Sequence, residues 1–286
     1  MDTVGDLDTR MTAEVRSDEE VRVQAASYVL ELSLDWIVLR ASENIHHLLR
    51  QSHVTLIDEP LGKFVHAQAL HDLRNLFSKL SGTTGIGRAY AVRLTDDHDL
   101  VDIAFQLSDG RVLLEAVPSV GCFGECFGSV GGLIAGLANS RGQALLDGGA
   151  RRMRALTGYD RVTVTCGDRR SESSRGAFTS SSNSADLPIL IVDSDAVGTS
   201  VFPRDVDETS IEAALMREPN EEEREQLKKQ GIRALLRIPF DAGGVDCEFC
   251  CESRTSREPN FELHAAAELF AQMFAMRLAI DKAAKH

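Results

Sequence analysis

Five of the six cysteines stand in two tight groups, Gly121-Cys122-Phe123-Gly124-Glu125-Cys126 and Cys247-Glu248-Phe249-Cys250-Cys251, about 120 residues apart. Thiolates are preferred ligands for zinc and for iron–sulfur clusters, and either centre needs four of them. Cys122, Cys126, Cys247, Cys250 and Cys251 are therefore the candidate metal and cofactor ligands, with four of the five expected to bind. Glycines beside cysteine let backbone N–H groups approach sulfur, and Phe123, Phe127 and Phe249 would supply a dry shell. The expected cofactor is an iron–sulfur cluster, 4Fe-4S ahead of 2Fe-2S, although no standard ferredoxin spacing is present. Zinc, thiol redox switching and plain burial as small hydrophobes stay open beside it. Strand geometry adds a constraint: Cys247 and Cys251 share one face of a strand, and Cys250 takes the other with Glu252. Cys166 reads as an ordinary core cysteine.

Other chemistry finds no footing. No G-x-S-x-G, H-E-x-x-H or P-loop pattern occurs, and the glycine runs at Gly85 and at 121–132 do not follow a strand and open a helix. His46, His47, His53, His66, His71 and His98 have mostly polar neighbours and read as surface residues. Asp193 and Asp195 read as a structural turn. The expectation is a protein that is not an enzyme. A formal net charge of −13 argues against binding to nucleic acid or to an anionic membrane, since both need a basic face, and the Arg151, Arg152 and Arg154 cluster reads as a solvated helix face. The N-terminus is acidic and does not read as a signal peptide, and no run of about 18 apolar residues exists. Clustered thiols without a secretory signal imply a reducing, cytoplasmic location.

The elements that must position these thiols follow from patterning. Residues 1–20 are polar and read as a flexible segment. Tyr28–Leu32 and Trp36–Ala41 read as strands, and 43–51 and 67–80 as helices. Three strands follow, at Arg88–Leu94, Val101–Leu107 and Arg111–Val117, with Asp109-Gly110 as the stronger turn signal. Pro118 to Gly128 reads as a glycine-rich linker carrying the first cysteine pair. Residues 129–156 read as one long helix, Asp160–Cys166 as a strand, and Gly167–Pro188 as a loop. A short strand at Ile189–Val192 precedes a charged helix, Glu221–Gln230, that stops at Gly231. Ile232–Phe240 and Val245–Glu252 form a hairpin, and Phe261–Ala284 is a long amphipathic helix.

In this order and spacing the chain resembles the N-terminal PAS–GAF part of bacterial phytochromes over roughly residues 20–282. Val23-Gln24-Ala25-Ala26-Ser27 is similar to the family's Ile-Gln-Pro-His-Gly segment. Ala41-Ser42-Glu43-Asn44 is similar to the "A-S-x-N" after the second strand, and Ser108–Arg111 to the penultimate hairpin. Leu156-Thr157-Gly158-Tyr159-Asp160-Arg161-Val162 is the sharpest match in the GAF part. Gln230-Gly231-Ile232-Arg233-Ala234 and Glu268–Met273 add two more. The resemblance implies an α+β chain, a PAS domain followed by a GAF-like domain, each an antiparallel sheet flanked by helices. It divides the chain into a flexible segment (1–20), the PAS domain (21–118), a Cys/Gly linker (119–128) and the GAF-like domain (129–286).

The departures from the family carry as much. Phytochromes of this kind hold biliverdin through a cysteine upstream of Ile-Gln-Pro-His-Gly, and no cysteine here precedes Cys122. The segment's Pro and His are Ala25 and Ala26. Ser184–Pro188 looks like a remnant of the bilin-cradling stretch, shortened. Glu252 occupies the position of a histidine that contacts the pigment. The expectation is a sensory protein that has lost covalent bilin binding and holds an iron–sulfur cluster, signalling redox, light or cluster status to a partner. A non-covalent bilin or haem, and a cofactor-free adaptor, are the alternatives. A homodimer through the C-terminal helix is a further expectation.

Overall fold

The computed structural model describes residues 22–80, 85–96, 99–120, 124–178, 187–204 and 209–284. Cys122, His98, Ser184–Asp186 and the 1–20 segment lie outside them.

The first part of the chain runs β1 (Arg22–Val23), β2 (Tyr28–Leu32), β3 (Val38–Ser42), α1 (Ile45–Leu49), α2 (His53–Leu56), a 3-10 turn (Leu61–Lys63), α3 (Ala67–Leu80), β4 (Gly87–Val92), β5 (Val101–Ser108) and β6 (Arg111–Pro118). The second part runs α4 (Glu125–Ala135), α5 (Gly142–Thr157), β7 (Arg161–Cys166), β8 (Arg169–Ser174), β9 (Leu190–Ile191), β10 (Thr199–Phe202), α6 (Thr209–Glu212), α7 (Glu221–Gln230), β11 (Ala234–Asp241), β12 (Asp246–Ser253) and α8 (Phe261–Ala283).

Two antiparallel sheets result. The first has the order β1-β10-β3-β2-β6-β5-β4, the second β8-β7-β12-β11-β9. Alternation makes each strand two-faced. In the first sheet Leu30, Leu32, Phe105 and Leu114 pack with Trp36, Leu70 and Leu73 beneath α1–α3. In the second, Val162, Val164, Phe249 and Leu236 pack with Phe261, Phe270 and Phe274 of α8 and Leu146 and Met153 of α5. Phe249, Phe270 and Phe274 form an aromatic knot with centroids 5.3–6.1 Å apart.

Local signals explain much of this. Ser108 pairs with Arg111, and Asp109 and Gly110 between them both have positive φ (49° and 75°), the conformation of the two-residue hairpin turn. Asn220 and Glu223 form a reciprocal capping box at the start of α7, and left-handed Gly231 ends it.

The structure departs from the sequence expectations in four places. The expected helix over 129–156 is two, α4 and α5, broken by a turn through Gly136, Asn139 and Ser140. The expected linker is helical from Glu125, so Cys126 sits in a first helical turn. Part of the expected loop 167–188 is β8, an edge strand whose alternate serines, Ser171 and Ser173, bond to α5 through Asp147 and Arg154. β10 was not expected at all. It leaves the second half of the chain and inserts between β1 and β3 of the first sheet.

Candidate functional site

β7 and β12 pair over six residues, which sets Glu252 opposite Arg161, Cys250 opposite Thr163 and Cys247 opposite Cys166. The face of this pair turned away from α5 and α8 carries Arg161, Thr163, Cys250 and Glu252. Arg161 and Glu252 are 2% and 0% exposed, and Arg161 Nε donates to Glu252 Oε2. A buried pair of this kind is stable only with close geometry. The Phe178 ring lies between two guanidiniums, 4.3 Å from that of Arg161 and 4.0 Å from that of Arg254. Cys250 packs among Leu187, Ile191, Leu227, Ile232 and Leu235, so α7 and the 187–191 segment cover its end of the face.

The other face of β12 carries Cys247, Phe249 and Cys251, as strand alternation requires, and joins the helix-side core. Cys247 is disulfide-bonded to Cys166, with their Cα atoms 4.2 Å apart. Sequence reading treated Cys166 as an isolated core residue and Cys247 as a ligand candidate; a Cys247 sulfur bonded to Cys166 does not ligate metal. Cys251 is fully buried against Thr157, and burial pushes its thiol well above the usual range, with the neighbouring Cys250 adding to the shift. Cys126 is half-buried near the start of α4, where Glu262 Oε1 of α8 accepts from the Gly124 and Cys126 N–H groups at 2.9 and 3.2 Å. Among the described residues no group of three or more His, Cys, Asp or Glu side chains is arranged to hold a metal. The thiols of β12 point to opposite faces, and Cys122 lies outside the described residues.

A second set of polar contacts ties the two sheets together. Gln24, the glutamine of the 23–27 motif, donates to Leu190 O and Arg217 O and accepts from Val192 N–H at 2.9 Å. Glu115 of β6 accepts from Leu215 N–H at 2.7 Å and Met216 N–H at 3.0 Å. Burial pushes the Glu115 carboxyl up to about 7, while the two amides and Arg88 pull it back in part. Arg88 of β4 donates to Glu268 of α8 at 2.8 Å and reaches His264 Nδ1 at 3.1 Å. His264 is 2% exposed; burial, then the Arg88 charge, hold its ring well below its ordinary value. Burial likewise pushes Tyr90, beside these groups, up to about 12. Sequence reading singled out neither Glu115 nor His264. The i,i+4 spacing of His264 and Glu268 on one helix was the available signal for the second.

Two clefts adjoin these elements. One of about 700 Å³ lies between α3 and β4, lined by His66, Asp72, Leu76, Arg88 and Arg93 among others. One of about 340 Å³ lies at the start of α8, lined by Tyr159, Leu236, Arg257, Asn260 and His264 among others. Neither is lined by Arg161, Cys250 or Glu252.

No protein-family model and no curated protein matches the chain. Solved structures do. The chromophore-binding domain of the unusual bacteriophytochrome RpBphP3 from R. palustris superposes with a TM-score of 0.74 at 21% identity, covering 92% of this chain and 96% of that one. The chromophore-binding domain of Stigmatella aurantiaca phytochrome P1 gives 0.73 at 21% identity, over 92% and 98%. The fold is that of a bacteriophytochrome chromophore-binding domain. The longer photosensory core module of the Stigmatella phytochrome gives 0.75 at 20% identity, and this chain spans 58% of it. A phytochrome-like PAS–GAF build of mixed helices and antiparallel sheets is thus established. No helix of the described residues is long and apolar enough to cross a membrane.

Proposed function

We propose that this chain is a cytoplasmic, non-enzymatic signalling module of phytochrome-like build. It senses through its cysteines instead of a covalently held bilin and passes their state to a partner through α8. The observation that carries the reading is the buried Arg161–Glu252 pair. The resemblance assigns the Glu252 position to a pigment-contacting histidine. Here that position holds a carboxylate committed to the Arg161 guanidinium, which lies against the Phe178 ring, while Leu227 of α7 and Ile232 pack with Cys250 on the same face. The described residues of this face do not suit a bilin, because Arg161 and Glu252 are buried and committed to each other there, and drawing either toward a pigment would cost the pair its mutual compensation.

The role given to α8 rests on its contacts. It packs on the second sheet, bonds to Arg88 of the first, and holds the start of α4 through Glu262. A shift in any of the three reaches one rigid helix. Leu269, Met276 and Ile280 are exposed on its outer side at helical spacing, which suits a partner helix or a second copy of the chain.

The test is an absorbance spectrum of the full chain purified without oxygen, before and after incubation with biliverdin, with iron and acid-labile sulfide analysis. The expected result is no bilin adduct and no stoichiometric iron. A tetrapyrrole band would replace this reading with a non-covalent bilin or haem sensor. Iron with matching sulfide would establish instead the iron–sulfur reading, its ligands drawn from the five candidate cysteines.

A further inference from the structure

The Cys166–Cys247 pair stands where a permanent staple is least needed. β7 and β12 are already held in register by the rest of their six-residue ladder, and this is its last pair. The terminal pair of a ladder is also the one that opens most readily by local fraying. Both sulfurs sit within two or three residues of exposed turns, at Asp168 on one side and Gly243-Gly244 on the other. The other described cysteines, Cys126, Cys250 and Cys251, are not disulfide-bonded. In compartments where most thiols stay reduced, an isolated disulfide is usually transient and redox-sensing.

The bond sits between two loops, one of which meets α8. Gly167 N–H donates to Asp246 O, and the Cys247 sulfur lies 3.4 Å from Val245 O. A Cβ at Gly167 would stand 3.4 Å from Val245 Cγ1, so the 167 turn and the 241–246 tip are in contact. A Cβ at Gly243 would stand 3.9 Å from Ala279 Cβ of α8, and Phe240 packs edge-on to Phe274 at 6.2 Å. Whatever ties Cys247 to Cys166 therefore restrains the hairpin tip that lies against the C-terminal half of α8.

We propose that Cys166 and Cys247 form a reversible redox site whose oxidised state clamps the β11–β12 tip onto α8 and whose reduced state releases it. The oxidant is a small or protein disulfide. One cysteine thiolate attacks a sulfur of that disulfide, forming a mixed disulfide and expelling one thiol. The second cysteine thiolate attacks the protein sulfur of the mixed disulfide, closing Cys166–Cys247 and expelling the second thiol. The pair loses two electrons and two protons, and the oxidant gains both as two thiols. A dithiol reductant reverses each step.

The experiment is a titration of the native full chain across mixtures of reduced and oxidised dithiothreitol. Samples are acid-quenched, unfolded and labelled with a maleimide. Labelled thiols per chain are expected to rise from four to six on reduction and return on oxidation. A cross-linked peptide joining Cys166 and Cys247 should appear in the oxidised samples alone. Hydrogen exchange across the 241–246 tip and the last three turns of α8 should be several-fold faster in the reduced protein. C247S should hold the fast pattern under every mixture, and C166S provides the same reading if the first variant fails to fold. Six labels at every mixture would overturn the proposal, as would a pair that resists reduction until the chain unfolds. The link to α8 rests on the function proposed above, whereas the thiol count does not. A reversible count with unchanged exchange in α8 overturns the clamp and the output role together while leaving the redox chemistry standing.

Discussion

Glu252 of the second sheet and Glu115 of the first are both buried strand carboxylates, 0% and 2% exposed, and they are compensated in different ways. Glu252 faces the guanidinium of Arg161 and with it closes the sheet face turned away from α5 and α8. Glu115 faces two backbone amides and holds down the 215–216 segment where the later chain crosses the first sheet. At Glu115 the two amides offset only part of the loss of water around the carboxylate, whose midpoint stays raised. One glutamate therefore fills a space, while the other pins a crossing with a group poised to change charge near neutrality.

The largest effect should come from breaking the cation-paired side. Glu252→Ala leaves the buried Arg161 without that carboxylate, and a loss of about 3–5 kcal/mol is expected in urea denaturation. A loss below about 1 kcal/mol would mean that the pair does not support the closed face. The amide-held side should instead announce itself through pH. Unfolded, Glu115 titrates near 4.5; folded, near 7. Its protonated form is favoured by folding, so its stabilisation is complete below about 4.5 and is lost as pH rises through about 7. That amounts to about 3 kcal/mol between the two ends. Denaturation of wild type and Glu115→Gln at both ends of this window should show the difference shrinking in the variant. An unchanged profile would remove Glu115 as its source.

Two smaller effects sharpen the contrast. The Arg88 charge lowers the Glu115 midpoint, so Arg88→Gln should move the pH profile upward and leave the effect of Glu252→Ala intact. Cys251→Ala removes a small buried group on the helix side of β12 and should cost about 1 kcal/mol. It should leave the pH profile alone. Because its thiol is pushed up by burial, Cys251 should also react with maleimide only after unfolding, as peptide mapping of native and denatured samples would reveal.

Elements with local codes were legible. The Asp109-Gly110 hairpin, the Gly231 stop of α7, the helix over 67–80 and the division of Cys247 and Cys251 from Cys250 all follow from residue type and period. Of the candidate site, Glu252 was legible as a departure from a motif, but not the partner it would take. β8 and β10 were not legible, because their residues alternate weakly and owe their strand conformation to neighbours far along the chain.

The sequence by itself determined the α+β plan, the hairpins and helices that carry local codes, and which β12 side chains share a face. These depend on turn chemistry and on periods of two and 3.6 residues, both short-range. Only the tertiary structure decided that Cys166 meets Cys247 across 81 residues of chain, that Arg161 meets Glu252, and that Glu115 receives two amides from residues 215 and 216. Each of those meetings is set by strand register or by a chain crossing. Register is fixed only when every core residue finds its face at once.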